Sequence, residues 1–199
     1  NILYYEPSFA DELNHLLFWA FKFIQEDQGS SVYFRLSTKK LEQPIRKLTS
    51  SLKRQIVNGC YWYKKPNFKK GIVIICVGVI IAEVQKFIGS LENELNIGVM
   101  IVTSPDKIYQ DWIKSIKNSR YNSDIEEILN DIHKDSNLVT IIDGHSSALS
   151  WLGSVCGHRV VPLGVGKFGK SGNLDEVYEY TDIDFKSIID RIAKSILNY

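Results

Sequence analysis

The chain of 199 residues is 44% hydrophobic and carries 24 basic against 23 acidic side chains, a formal net charge of +1. That composition can bury one good core, or one and a part, and its even charge balance argues against a nucleic-acid or membrane-surface partner. The longest apolar run, 72–82, is about half of the roughly 20 residues that span a bilayer and is interrupted by Gly78. Cys60, Cys76 and Cys156 are odd in number, far apart and in apolar surroundings, so neither a disulfide framework nor a zinc site is indicated. A reducing, cytoplasmic setting is the expectation.

The chain opens on Asn1-Ile2-Leu3-Tyr4-Tyr5, without a methionine, and enters a strand-like run at once. It therefore reads as a piece of a longer polypeptide. Glu6-Pro7 stops that strand. Ser8 offers a helix N-cap with Asp11 three residues on, and Leu13, Leu16, Leu17, Ala20, Phe21 and Ile24 recur at helical spacing. The β-rich run 31–36 follows, which completes a strand-helix-strand unit. Residues 37–70 are polar and basic, with Lys39, Lys40, Arg46, Lys47, Lys53 and Arg54 among them, and read as a solvated linker. Within it 58–63 has the composition of a short strand, and Pro66-Asn67 marks a boundary.

From Gly71 the alternation becomes regular. Strands are expected at 72–77, 97–102, 138–142 and 160–165. Helices are expected at Val84, Phe87, Ile88, Leu91 and Leu95, at 106–116, 124–133 and 146–156, and finally at 174–180 and 184–197. Such alternation predicts a three-layer α/β/α domain on a mainly parallel sheet, preceded by the tail of a second α/β domain.

Gly164-x-Gly166-x-x-Gly169 matches the dinucleotide fingerprint formally. In that fingerprint, however, the loop opens a βαβ unit that goes on to a second strand, whereas only helices follow here. Glycines in such a loop serve positive φ and close backbone approach. Asp143-Gly144-His145-Ser146-Ser147 lies where a strand ends and a helix begins, the edge at which open parallel sheets bind ligands. His145 is the single candidate proton carrier of this region. His15, His133 and His158 join no ligand cluster, and no metal ligands are assigned.

The segment Asp143-Gly144-His145, the loop from Gly164 to Gly172 with its Phe168-Gly169-x-Ser171-Gly172, and Tyr180-Thr181-Asp182-Ile183-Asp184 with the closing helix together resemble the C-terminal domain of transketolase-like thiamine diphosphate enzymes. The likeness is greatest to the first, dehydrogenase component of 2-oxoacid dehydrogenase complexes, of the single-chain pyruvate dehydrogenase type. The resemblance divides the chain into the end of a pyrimidine-binding domain at 1–36, a linker at 37–70 and a transketolase-like C-terminal domain at 71–199. It implies a thiamine diphosphate- and magnesium-dependent oxidoreductase that forms a homodimer and passes an acyl group to the lipoyl domain of an acyltransferase component. The Gly-Asp-Gly motif that anchors the cofactor is absent, and the activating glutamate and the substrate-handling histidines fall upstream of residue 1. No cofactor-binding residue is thus expected in this segment, and the segment alone is expected to be inactive. Gly166, Gly169, Ser171 and Gly172 are placed at the edge of the active-site crevice. His145 shapes access there, and Trp19, Tyr61, Trp62 and Tyr63 are expected on the surface that meets the missing domains. Sugar-phosphate transketolases carry a substrate-binding arginine after the Leu-Ser that ends the second strand. Here Leu36-Ser37 is followed by Thr38, which favours a small 2-oxoacid. A transketolase, a deoxyxylulose phosphate synthase or a non-catalytic assembly module of the same fold are the alternatives.

Overall fold

The structure, a computed structural model, describes residues 2–91, 96–118 and 121–197. Strand β1 (Ile2–Tyr5), helix α1 (Ala10–Phe23) and strand β2 (Ser31–Phe34) form a βαβ unit whose strands pair in parallel, Ile2 opposite Ser31 and Tyr5 opposite Phe34. Glu12, rather than Asp11, reaches back over the start of α1 and accepts the N–H groups of Ser8 at 2.8 Å and Phe9 at 3.4 Å. The apolar stripe of α1 divides. Leu16 and Ala20 are buried and Leu13 is half-buried, whereas Leu17, Phe21 and Ile24 stay exposed, as does Phe18 outside the stripe. A sheet of two strands, spaced about 5 Å apart, is too narrow to cover a helix about 10 Å wide.

The stretch 37–70 is not a linker throughout. Residues 37–49 have no regular structure, but α2 (Ser50–Asn58) and β3 (Cys60–Lys64) follow. Thr49 caps α2 by accepting from Leu52 N–H, and Gly59 ends it at φ 115°. Of the basic side chains that suggested a linker, Lys53 and Arg54 form the solvent face of this helix, opposite the buried Ile56, while Lys39 is held by Glu83 and Arg46 by Asp11 and Glu12. Strand β3 then pairs antiparallel with β5 (Ile97–Val102), Cys60 opposite Val102. The boundary marked at Pro66-Asn67 thus falls inside the sheet rather than before it.

That sheet has the order β3-β5-β4-β6-β7, where β4 is Ile72–Val77, β6 is Asn137–Ile142 and β7 is Val160–Gly164. All pairs but the first are parallel. Strands β4, β5 and β6 are buried at every position, as expected for strands covered on both faces. Their side chains alternate between two cores. Ile72, Ile74, Cys76, Val99, Ile101, Val139 and Ile141 pack with Tyr5, Leu16, Ile56 and Tyr61 and with Ile188 and Ile192 of α9 (Phe185–Leu197). Val73, Ile75, Val77, Met100, Val102, Leu138 and Ile142 face α4 (Pro105–Lys117) through Ile108 and α5 (Asp124–Asn130) through Ile125 and Leu129. Each such side chain contributes about 1.5–3 kcal/mol of transfer free energy. The expected three-layer α/β/α arrangement on a mainly parallel sheet is the one found.

A short 3₁₀ turn leads from β4 into α3 (Ile81–Leu91). Of the residues read as the face of that helix, Val84 is buried and Ile88 partly so. The side chains of Phe87 and Leu91, and Leu95 altogether, lie outside the described residues. The helix expected at 146–156 is two short ones, α6 (Ser147–Ser150) and α7 (Gly153–Cys156), and α8 (Leu174–Tyr180) precedes α9.

Of the aromatic side chains expected at an interface, Tyr61 alone is buried inside the chain, and Trp19, Trp62 and Tyr63 are half-buried. Tyr61 is 1% exposed, Trp62 and Tyr63 are partly buried against the two cores, and Trp19 packs edge-on to Tyr5 and stacks on Phe23. Tyr61 can enter the core because its hydroxyl is bonded to Arg46 and Glu12.

Candidate functional site at the carboxyl edge of the sheet

The chain leaves β4 for β5 on one side and later places β6 on the other. The carboxyl ends of β4 and β6 therefore bound the topological switch point, where open parallel sheets form their ligand crevice. Here the N-terminal unit enters it. Ser104 Oγ donates to Tyr4 O at 2.6 Å, and Glu6 N–H donates to Thr103 O at 2.8 Å, which fixes the end of β1 beside the end of β5. Glu6, 4% exposed, then points its carboxyl at Gly78, the residue after β4. A Cβ on Gly78 would stand 2.5 Å from Glu6 Oε1, and Gly78 has φ +56°, so glycine is needed there twice over.

Glu6 is held on two further sides. The Tyr4 hydroxyl donates to Oε2, and Arg35, just past β2, donates to Oε1 at 2.8 Å. The other terminal nitrogen of Arg35 reaches Asp143 Oδ2, beyond the end of β6, at 3.1 Å. Burial pushes the Glu6 carboxyl above the usual carboxylate range, although Tyr4 and Arg35 pull the other way. Tyr178 of α8 completes the surroundings, and burial with the nearby Asp143 and Glu83 pushes its hydroxyl up. Next to this cluster Lys39 donates to Glu83 at 2.8 Å, and Lys86 joins the same carboxyl at 2.6 Å. Despite burial, those two bonds hold Glu83 below the usual range.

The residues singled out from sequence sit nearby but do not converge. His145 is exposed, and its Nδ1 lies 2.7 Å from Ser147 Oγ, a turn contact that leaves it no carboxylate partner among the described residues. Gly166, Gly169, Ser171 and Gly172 are all exposed. The expectation that the loop glycines serve positive φ fails at Gly166 and Gly169. Neither has a positive φ, and a Cβ at either would meet no atom within 4 Å. Close approach is required only at Gly164, where a Cβ would stand 2.6 Å from Gly144 O. Lys167 is tied to Tyr180 O at 2.7 Å and to Asp182 at 3.0 Å, so it is not free to cradle a phosphate. The Glu6–Arg35–Asp143 cluster was missed. Its partners lie 29 and 108 residues apart in sequence; the strand-to-helix pattern places Asp143 at this edge, but no local signal ties Glu6 or Arg35 to it.

Transketolase of Pichia stipitis in complex with sedoheptulose-7-phosphate superposes on this chain with a TM-score of 0.66 at 19% identity, over 100% of this chain and 26% of that one. Transketolase of Leishmania mexicana gives 0.67 at 14%, over 98% and 25%. The fold is transketolase-like. A split-gene transketolase, an inactive beta4 tetramer, is also similar, with a TM-score of 0.64 at 16% identity over 98% of this chain and 57% of that one. The chain thus spans about a quarter of the length of the Pichia and Leishmania enzymes. No protein-family model matches the sequence, and no curated protein matches it. A transketolase-like fold at this identity carries the architecture. It does not carry the finer likeness to pyruvate dehydrogenase components, which stays a proposal.

Proposed function

We propose that the chain is the C-terminal part of a thiamine diphosphate-dependent enzyme whose catalytic groups lie in a longer parent polypeptide, and that the parent decarboxylates a small 2-oxoacid, pyruvate foremost. The acetyl group then passes to the lipoyl domain of an acyltransferase component, in the cytoplasm, from a homodimer. One observation carries the choice of substrate. At the end of β2, where a phosphorylated sugar would need a free cation, Arg35 is shared between Glu6 and Asp143 and Lys39 is held by Glu83. Specific phosphate binding asks for an unengaged fork or ammonium. The solved complex of a structural neighbour with a sugar phosphate favours the second reading, a transketolase.

The exposed apolar side chains in and next to α1 support a longer parent. Phe18, Phe21 and Ile24 are 66%, 61% and 49% exposed, a surface suited to the remainder of an α/β domain. The groups that hold the cofactor are assigned to the parent polypeptide. Among the described residues no group of three His, Cys, Asp or Glu side chains is placed to hold a metal ion, and the glycine loop offers no free cation at Lys167. What this part contributes is a rigid base that seats the end of the cofactor-bearing unit. No described helix is long and apolar enough to cross a membrane.

The test is turnover by the full-length parent on pyruvate, 2-oxoglutarate and xylulose phosphate. Preference for a 2-oxoacid supports the reading, and preference for the sugar establishes the transketolase alternative. In the same assay His145→Ala is expected to lower turnover by less than about tenfold, short of the roughly 100-fold usually lost with a general acid or base. A loss of several hundred-fold with the fold intact would put His145 in the catalytic machinery.

A further inference from the structure

The switch-point crevice of the five-stranded sheet is filled by a side chain of the same polypeptide, and the filling is built as a ligand site is built. Glu6 enters from the N-terminal unit with its N–H anchored on Thr103 O. Around its carboxylate stand a hydroxyl from Tyr4, a guanidinium nitrogen from Arg35 at 2.8 Å and a floor made by the missing side chain of Gly78. Asp143 holds the far nitrogen of Arg35 at 3.1 Å and so fixes the fork against the second domain. Cation, hydroxyl and glycine floor converge on one carboxylate that is itself only 4% exposed. We propose that this is a carboxylate-binding site occupied from within: Glu6 is its resident ligand, Arg35 is the positioning residue that carries the bond across to Asp143, and the empty site accepts a free small carboxylate. The consequence is that occupancy of the site couples the βαβ unit to the five-stranded sheet.

Glu6→Ala removes a CH₂–COO⁻ group, which has the heavy atoms of an acetate ion, so acetate is the probe. The variant is expected to melt at least about 5 °C below wild type. Sodium acetate should restore half or more of that difference, saturably, whereas sodium chloride at equal ionic strength should not, each read relative to wild type in the same salt. Glu6→Ala combined with Arg35→Met should gain nothing from acetate. Equal effects of acetate and chloride, or acetate rescue of the double variant, would overturn the proposal. If Glu6→Ala fails to fold in chloride, the yield of refolding in acetate against chloride gives the same reading, and equal yields count against it.

Arg35→Met provides an arm that needs no added ligand. The groups that face Glu6 are Tyr4 from β1, Arg35 from the end of β2, Asp143 from the end of β6 and Tyr178 from α8. Removing the only cation among them leaves the carboxyl bonded by Tyr4 alone, so its proton affinity in the folded state rises further. Stability from such a group falls as pH rises from the ordinary carboxylate value toward the raised one. The loss in Arg35→Met should therefore be greater near pH 8 than near pH 5. A loss that is the same at both values would mean that Arg35 contributes packing only.

Discussion

Arg46→Met is expected to cost about 3–5 kcal/mol, the usual effect of leaving a buried charge without its partner. Arg46 donates to Asp11 at 2.8 and 3.0 Å, to Glu12 at 3.0 Å and to the Tyr61 hydroxyl at 2.9 Å. Glu12 is fully buried, and burial already pushes its carboxyl above the usual range while Tyr61, the Ser8 N–H and Arg46 pull it down. Without Arg46 the carboxyl must either keep its charge in the core or take up a proton. A group whose folded pKa is raised loses stability as pH climbs from its unfolded value toward its folded one, so the deficit should be larger near pH 8 than near pH 5. Urea unfolding of wild type and variant at the two pH values measures it. Arg46→Lys should recover only part of the loss, because an ammonium cannot serve three partners with a planar fork. A deficit below about 1 kcal/mol at both pH values would show that the contacts of Arg46 count as those of an exposed ion pair do.

The second large effect is expected at Gly78→Ala. Alanine at φ +56° costs about 1–2 kcal/mol in backbone strain, and its Cβ would meet Glu6 Oε1 at 2.5 Å and Cγ at 2.6 Å. An exposed glutamate would swing aside. Glu6 cannot do so without losing the bonds from Tyr4 and Arg35, charge-assisted contacts of about 1.5–3 kcal/mol each. With both bonds lost the total is about 4–8 kcal/mol, read as a lowered unfolding midpoint. Gly166→Ala and Gly169→Ala serve as controls. Nothing lies within 4 Å of either site, so each should stay within about 0.5 kcal/mol of wild type.

The central strands were legible because burial on both faces leaves an unbroken apolar run. Residues 72–77, with glycine at 71 and 78, can hardly be read otherwise, and β4 has those bounds. The antiparallel edge was harder to place. Strand β3 has the composition of a strand, but it lies in a stretch of scattered basic residues whose charge made 37–70 read as linker, although Lys39 and Arg46 in it are paired with the buried Glu83 and Glu12. The capping of α1 shifted by one residue because Glu12, not Asp11, has the reach to accept both Ser8 and Phe9. Of the candidate site, its location was legible and its contents were not. Asp143 and His145 pointed to the carboxyl edge through the strand-to-helix grammar alone. No local pattern announces that Glu6 and Arg35 come from another unit to fill that edge, since the pairing depends on how the βαβ unit is seated. Tyr61 departs from the interface expectation for a related reason. A tyrosine is read as an interface residue until a partner for its hydroxyl is found, and Arg46 lies 15 residues away.

The claim that the catalytic groups lie outside this chain is tested most directly by titrating the chain with thiamine diphosphate and magnesium in a calorimeter. The described residues hold no metal-binding trio, and the crevice at the switch point is already filled by Glu6. The expected result is no saturable heat up to millimolar cofactor. Saturable binding in the micromolar range would contradict it and place the cofactor site on this chain.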